Sequence, residues 1–305
     1  MKLEEENISN QDRKKPVKLF GIIMLILLVA AAGVFLIEKL ASRPGGLFSS
    51  KDGGGSETKT FEENFQKNEI VDETAKMSES ASADWWVNSG GLMTVENGVG
   101  KTVQGDLSSD SKWYQKYESS NPADTDGGMH PQNIFRLVAR SKWKNFRQQA
   151  YFKINAINRS ESENRNESNG LLLMSRYEDG DNLYYAGVRV DGAAVIKKKY
   201  DEDYYTLSEK KIFAGEEYKR DSNPNLLPVR EWIGLRSEFR NTDDGDVEIK
   251  LYVSKGKNEN WKLALTVVDD GRKKFGENIL SDEGYAGIRT DFMDVEFSDY
   301  KIAEF

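Results

Sequence analysis

The sequence predicts an all-β fold, a β-sandwich of roughly 12 to 15 strands, preceded by one N-terminal transmembrane helix. Two observations predict it. One apolar segment of membrane-spanning length stands near the N-terminus of the 305-residue chain, and short alternating runs separated by turn signals follow it. Outside the apolar segment, no long run keeps the helical period of 3.6 residues.

The apolar segment LFGIIMLILLVAAAGVFLI covers residues 19–37 without a charge or a strongly polar side chain. A helix of that length would span ~28 Å, close to the thickness of a bilayer's hydrocarbon core. A cleaved signal peptide is the alternative, but the flank Glu38-Lys39-Leu40 does not resemble a cleavage site, so we favour an uncleaved anchor. Because basic residues crowd the N-terminal flank, we expect residues 1–18 in the cytoplasm and the rest outside, in the periplasm or extracellular space.

The segment that follows the predicted span, residues 38–60, is rich in Gly and Ser and is typical of a flexible tether. The whole chain has a formal net charge of −8, and residues 1–60 carry nine basic and seven acidic side chains, which leaves −10 on residues 61–305. This balance argues against nucleic acid as a partner of the C-terminal domain. There is no cysteine, and His130 is the only histidine, which excludes disulfides, thiolate nucleophiles and histidine clusters for metals.

Residues 61–305 are predicted to form one domain of strands. The clearest strand patterns are at 170–178, 183–190, 193–200, 232–240, 246–254, 261–268 and 294–302. Asp-Gly pairs follow or separate several of them and are typical of two-residue hairpin loops. With such a loop at Asp191-Gly192, Tyr185 would lie opposite Lys198. With another at Asp179-Gly180, Met174 would join that row beside Arg176.

The motif Tyr-Ala-Gly-aliphatic-Arg-x-Asp occurs twice, at 185–191 and 285–291, and WIGLRSE at 232–238 repeats its Gly-x-Arg core. Residues two apart on a strand share a face, so each copy places Gly and Arg together. We interpret this face as a ligand surface on which glycines leave room and Arg, Tyr and Lys bind a sugar. The predicted carbohydrate-binding residues are Arg176, Tyr185, Arg189, Lys198, Arg236 and Arg289. The alternative is that these arginines pair with nearby carboxylates on an ordinary sheet face.

A family resemblance rests on FEENF at 61–65, GLLLMSRYEDGDNLYYAGVRVDG at 170–192 and FSDYKI at 297–302. These motifs resemble the concanavalin A-like lectin/glucanase jelly roll, particularly laminin G-like members and bacterial relatives of family 16 glycoside hydrolases and 3-keto-disaccharide hydrolases. The resemblance covers residues 61–305 and implies a jelly-roll β-sandwich. It leaves the function open, because lectins, hydrolases, lyases and adhesion modules share this fold.

The resemblance also implies where catalysis and calcium would be found. The Glu-x-Asp-x-x-Glu run of retaining glucanases is absent, so no catalytic residue is predicted. Related jelly rolls hold one Ca²⁺ where the first and last strands meet, and the matching carboxylates are Glu63 and Asp299. We therefore predict a membrane-anchored carbohydrate-binding module, for an acidic polysaccharide, that is not an enzyme. The alternatives are a glycan hydrolase or lyase and a laminin G-like module that binds protein.

Overall fold

Two antiparallel sheets pack face to face in the computed structural model, which describes residues 46–50 and 58–305. The all-β sandwich predicted from the sequence is therefore confirmed. In the described part of the chain, no helix is long and apolar enough to cross a membrane. The predicted span at 19–37 lies outside that part, as do residues 1–18 and most of the predicted tether.

Within residues 46–50 and 58–305, the first sheet has ten strands. They are β1 Gly46–Ser50, β2 Thr58–Glu63, β3 Glu69–Asp72, β5 Leu92–Glu96, β6 Val99–Lys101, β8 Phe146–Ile157, β13 Trp232–Asn241, β14 Val247–Lys255, β15 Lys262–Asp269 and β17 Met293–Glu304. Their order is β15-β14-β13-β8-β17-β6-β5-β3, with β2 paired to β17 and β1 paired to β2.

The second sheet has seven strands in the described part of the chain. They are β4 Trp85–Ser89, β7 Ile134–Trp143, β9 Gly170–Tyr177, β10 Leu183–Arg189, β11 Ala193–Tyr200, β12 Asp203–Lys211 and β16 Gly284–Asp291. Their order is β12-β11-β10-β9-β16-β7-β4. One short helix that the sequence did not predict, α1 (Lys112–Ser120), begins after Ser111, whose hydroxyl accepts a hydrogen bond from the amide of Trp113.

The main core lies between the sheets and takes every second residue of the strands. On β9 and β10 these inward residues include Leu171, Leu173, Ala186 and Val188, as their alternation predicts. Phe61, from the motif FEENF, packs at the same end as Trp85 and Tyr300, with ring centroids 5.5 Å and 6.1 Å away. The first and last motifs thus meet where β2 pairs with β17.

In the hairpin between β10 and β11, the strand register differs from the predicted one by one residue. Val188 pairs with Ala194, and the amide of Gly192 donates to the carbonyl of Arg189, so the predicted two-residue loop is wrong. Gly192 has φ +83°, as expected for the residue that closes a longer hairpin loop. Tyr185 consequently lies opposite Lys197, and Lys198 points to the opposite face.

A β-bulge on β9 changes the predicted position of Arg176. Tyr185 pairs with Met174 as expected, but the register between β9 and β16 shifts so that Tyr285 pairs with Tyr177 and Gly287 with Met174. Arg176 has φ +49° within this irregularity. The alternation is therefore broken, and Tyr177 continues the outer face while Arg176 turns inward.

The motif glycines serve sheet packing. A Cβ on Gly187 would lie 2.1 Å from the carbonyl oxygen of Leu171, and one on Gly287 equally close to that of Leu137. On the other sheet, a Cβ on Gly234 would meet the rings of Trp261 and Tyr151 at 2.9 Å. The expectation that these glycines leave room for a ligand is wrong, because a neighbouring strand or ring already fills the space.

Candidate functional site

A cleft of about 470 Å³ opens on the outer face of the second sheet, the face turned away from the main core. The four neighbouring strands β9 to β12, together with β16, form its floor, and two loops form its wall. The strands contribute Leu172, Tyr185, Lys197, Tyr204, Thr206, Arg289 and Asp291. The loops contribute Asp124, Asn164, Asn166, Ser168 and Asn169. We call this opening the carbohydrate cleft, because the sequence predicts a sugar-binding surface on the face that carries Tyr185 and Arg289.

Two tyrosine rings provide the aromatic surface of the carbohydrate cleft. The rings of Tyr185 and Tyr204 lie with centroids 6.4 Å apart and an interplanar angle of 23°, in a stacked arrangement. Tyr185 is buried, whereas Tyr204 is 55% exposed. Tyr204 therefore presents a ring that a ligand can contact without displacing protein.

Arg289 lies beside this pair and is held in place by its neighbours. Its Nε donates to Asp291 Oδ1 at 2.8 Å, and its Nη1 lies 3.3 Å from the hydroxyl of Tyr185. Burial opposes the charge of Arg289, but Asp291 and Tyr185 outweigh it and raise the pKa above the ordinary value. The guanidinium is consequently a fixed positive charge at the cleft.

Lys197 is the second cation of the cleft and is less fully satisfied. It is 9% exposed, and its Nζ donates to the carbonyl of Ser168 at 3.3 Å. Burial, followed by the positive charge of Arg189, lowers the pKa of Lys197 to about 8. No carboxylate of the described residues lies within ion-pair distance of this ammonium, which leaves it available to an anionic ligand.

Asp124 stands on the loop wall of the cleft. Its Oδ1 accepts from Ser162 Oγ at 2.5 Å and Asn164 Nδ2 at 2.9 Å, and its Oδ2 accepts from Asn121 Nδ2 at 3.1 Å. Burial raises the pKa of Asp124, but these hydrogen bonds outweigh it, so the pKa lies below the ordinary value. Asp124 is thus a charged acceptor.

A buried arginine joins the wall of the cleft to a second loop through hydrogen bonds. Arg165 is 5% exposed, and its Nη1 and Nη2 donate to the carbonyl of Arg220 at 2.6 Å and to Asp221 Oδ1 at 3.2 Å. Arg220 in turn donates to the carbonyls of Glu161 and Ser162, both at 2.9 Å. The loop at 160–169, which carries the asparagines of the wall, is therefore held against the loop at 219–231.

Three of the six predicted binding residues lie together. Tyr185 and Arg289 line the cleft, and Arg189 occupies the same face beside Lys197. Arg189 is occupied by Asp191, at 3.1 Å from Nε to Oδ1, and by Glu209, at 2.8 Å from Nη1 to Oε2. It borders the cleft as part of an ion-pair group.

The other three predicted residues lie elsewhere, which corrects the prediction. Arg176 is buried at the end of the core, where its guanidinium donates to the carbonyls of Leu280 and Lys144 at 2.7 Å and 2.9 Å. Lys198 is fully buried and pairs with Asp269 at 2.8 Å. Arg236 lies on the first sheet, 4.2 Å from the ring centroid of Trp261.

The Arg-x-Asp ending of the repeated motif is an ion pair along one strand. Arg189 bonds Asp191, and Arg289 bonds Asp291, because residues two apart on a strand point the same way. The alternative considered from the sequence, pairing with nearby carboxylates, is thus correct for both arginines. Asp291 nevertheless leaves part of Arg289 facing the cleft.

The predicted calcium residues fit a cation poorly. Asp299 forms an ion pair with Lys257 at 2.7 Å. Glu63 accepts from the amide of Phe65 at 2.6 Å, and burial raises its pKa, which favours its uncharged form. No cluster of three or more potential metal ligands occurs in residues 58–305. Calcium binding stays a prediction.

Sequence reasoning missed Lys197, Tyr204 and the loop residue Asp124. Lys197 could have been found from the alternation of AAVIKKKY with a longer hairpin loop before it. Tyr204 follows a two-residue turn at Asp201-Glu202, both with positive φ, where no glycine marks the hairpin. Asp124 reaches the cleft through packing between distant loops, for which the sequence carries no local signal.

No protein-family profile and no curated protein matches this sequence. Among solved structures, the chain is similar to the carbohydrate binding module CBM66 from Bacillus subtilis, with 16% identity and a TM-score of 0.39 over 55% of this chain and 81% of that one. It is also similar to a family 16 glycosyl hydrolase from Mycobacterium smegmatis, with 8% identity and a TM-score of 0.44 over 79% and 98% of the two chains.

A third similar structure is the family 43 protein BlXynB from Bacillus licheniformis, with 11% identity, a TM-score of 0.45, and coverage of 80% of this chain and 39% of that one. The family resemblance seen in the sequence also includes carbohydrate-binding proteins and glycoside hydrolases. Since all three TM-scores lie below 0.5, the fold assignment rests on the sheets and strand orders given above.

Proposed function

We propose that the domain binds a carbohydrate chain in the carbohydrate cleft. The observation that carries this proposal is the stacked pair Tyr185 and Tyr204 beside the charged groups Arg289 and Lys197. A sugar ring has an apolar face that stacks on an aromatic ring and hydroxyls that need fixed donors and acceptors. Asp124 and the loop asparagines supply such acceptors and donors.

An acidic sugar fits the cleft better than a neutral one. Asp291 balances the charge of Arg289, but Lys197 has only a carbonyl partner. A ligand carboxylate beside Lys197 would pair with a cation that burial has already stripped of water, so the interaction would be stronger than at an open surface. The proposed ligand is therefore a polysaccharide that contains uronate or a similar anionic unit.

The test compares binding of neutral and uronate-containing oligosaccharides to the full chain in lipid nanodiscs, with Ca²⁺ and with EDTA. Tyr204→Ala should weaken binding of both classes about fivefold or more, because a stacked ring contributes ~1 kcal/mol or more. Lys197→Gln should weaken only the uronate class. The matched control is Tyr252→Ala, a half-buried tyrosine on the first sheet.

Binding that survives both Tyr204→Ala and Lys197→Gln would remove the cleft as the site. Loss of binding on addition of EDTA would show that carbohydrate binding depends on a divalent cation.

A second candidate function, a polysaccharide lyase, is favoured by Lys197. A lysine whose pKa is near 8 can act as a general base, and an arginine beside it can neutralise a uronate carboxylate so that its α-proton becomes acidic. In β-elimination the base takes that proton, the C4–O bond breaks, a C4–C5 double bond forms, and the departing sugar oxygen takes a proton from solvent water. Unsaturated product, detected by ultraviolet absorbance and lost in Lys197→Gln, would support a lyase over a binding module.

We also infer that residues 19–37 anchor the chain in a membrane with the domain outside the cytoplasm. The support is the uncharged length of this segment and the basic residues before it. A polysaccharide outside the cell would then be within reach of the cleft.

A further inference from the structure

A second cleft, of about 350 Å³, lies where the free edges of the two sheets meet, and it shares no lining residue with the carbohydrate cleft. β15 is the terminal strand of the first sheet and β12 the terminal strand of the second, and the two strands contact each other. The space between them opens beyond this contact. We call it the seam cleft.

The floor of the seam cleft is apolar and continuous with the main core. Phe213 and Val253 are 6% and 7% exposed and belong to that core. Ile212, Ala264 and Leu263 complete the apolar surface, and Leu263 is 55% exposed. An exposed leucine that continues an apolar floor between two sheets is an unfavourable surface that an apolar ligand would cover.

Three lysines surround the mouth of the seam cleft. Lys210, Lys255 and Lys262 are exposed, and Lys255 Nζ lies 5.4 Å from the ring centroid of Phe213. Among the residues that the structure describes, none of the three has a carboxylate within ion-pair distance, although the chain carries 51 acidic residues. The mouth is therefore a positive patch on an acidic protein.

Protection of a sheet edge would explain only part of this pattern. Lysines on edge strands prevent edge-to-edge aggregation, and this accounts for Lys210 on β12 and Lys262 on β15. Lys255, the last residue of β14, pairs only with Ile233 of β13, and its ammonium lies over the ring of Phe213 in the floor of the cleft. A cation above an apolar floor would suit the charged end of an otherwise apolar ligand.

We propose that the seam cleft binds a free fatty acid anion, one aliphatic chain that ends in a carboxylate. The chain would lie on Phe213, Val253 and Leu263, and the carboxylate would meet the three ammonium groups at the mouth. The volume is near the lower limit of ligand pockets, about 300–1,000 Å³, which suits one chain and not a lipid with two. This function is independent of carbohydrate binding.

The test uses a dodecanoate that carries a photoreactive diazirine at the far end of its chain, added to the full chain in nanodiscs of zwitterionic lipid. After irradiation and digestion, mass spectrometry should place the label on peptides that contain 212–213 or 253–264. Excess dodecanoate should compete with the probe, whereas dodecanol and dodecyltrimethylammonium should not.

Two variants test the two halves of the site. The triple change Lys210→Gln, Lys255→Gln and Lys262→Gln should reduce labelling about tenfold, because each exposed charge contributes modestly. The matched control is Lys76→Gln, Lys144→Gln and Lys219→Gln, three other exposed lysines without an ion pair in the described residues. Leu263→Asp places a carboxylate on an already exposed position, so folding should be kept while labelling is lost.

The proposal would be overturned by equal labelling in wild type and the lysine triple variant, or by equal competition from dodecanol. It would also be overturned if the probe does not label these peptides and chemical cross-linking instead joins two copies of the chain through β12 and β15. In that case the exposed edge would be a contact between copies.

Discussion

At the residue scale, Lys197 links the geometry of the carbohydrate cleft to a measurable pH dependence. An anionic ligand binds better to the charged ammonium, whose pKa of about 8 lies below the ordinary value because the side chain is buried. We expect affinity for a uronate oligosaccharide to be constant at lower pH and to fall by up to about tenfold per pH unit above about 8. Isothermal titration calorimetry across this range measures the effect.

Lys197→Arg is the control for that titration, because arginine keeps its charge over the whole range. Its uronate affinity should not change with pH. A pH profile that is the same in wild type and Lys197→Arg would show that another group titrates.

A second prediction concerns the buried pair of Lys198 and Asp269. Both side chains are fully buried, and Tyr184 also donates to Asp269 Oδ2 at 2.6 Å. Asp269→Asn leaves the ammonium of Lys198 without its anion, so we expect the free energy of unfolding to fall by about 3–5 kcal/mol. Denaturant titration of the domain's tryptophan fluorescence measures this loss.

The double change Lys198→Met and Asp269→Leu should recover much of that stability, because it removes both charges. A double variant that is as unstable as Asp269→Asn alone would mean that the cost comes from lost packing or lost hydrogen bonds of Tyr184, not from the unpaired charge.

At the element scale, we expect the affinity for an oligosaccharide to depend on how rigidly the loop at 160–169 is held. Arg165 holds this loop against the loop at 219–231, yet it does not line the carbohydrate cleft. Arg165→Gln should therefore weaken oligosaccharide binding several-fold and speed amide hydrogen exchange in residues 160–169.

The matched control for Arg165→Gln is Arg159→Gln, which makes the same chemical change at an exposed arginine beside the start of that loop. This variant should keep the affinity and the exchange rates of wild type. If Arg165→Gln speeds exchange but does not reduce affinity, the proposed contribution of Arg165 to binding is contradicted.

The sequence predicts strands well because their alternation is local. The pattern at 193–200 coincides with β11, and those at 170–178 and 232–240 differ from β9 and β13 by one residue. Registers and faces are harder to predict. The longer loop after β10 places Lys197 on the outer face instead of Lys198, and one bulge on β9 turns Arg176 inward. Neither the bulge nor the loop length can be derived from alternation alone.

The candidate site can be predicted only where it lies on strands of the repeated motif. Tyr185 and Arg289 follow from the sequence because the motif places them on the same face. Asp124 and Asn164 come from segments that approach the cleft through contacts between distant loops. Such contacts depend on the packing of the whole sandwich and leave no periodic pattern in the sequence.

At the scale of the whole molecule, the absence of cysteine allows the orientation of the chain in the membrane to be tested with single introduced thiols. Ser9→Cys and Ser109→Cys would each give a chain with one thiol, in the predicted cytoplasmic tail and on the exposed surface of the domain. In intact cells or spheroplasts, a membrane-impermeant maleimide should label the thiol at position 109, and the thiol at position 9 only after permeabilisation. Labelling in the reverse order would contradict the predicted orientation.

The place of β17 in the first sheet bears on how the protein is made. This strand follows all the others in the chain, yet it lies inside the sheet, between β8 on one side and β2 and β6 on the other. During synthesis the two halves of that sheet have no strand to join them until residues 293–304 emerge from the ribosome. Until then the nascent domain has unpaired sheet edges, which favour aggregation and chaperone binding. A chain truncated before residue 293 could not complete the first sheet.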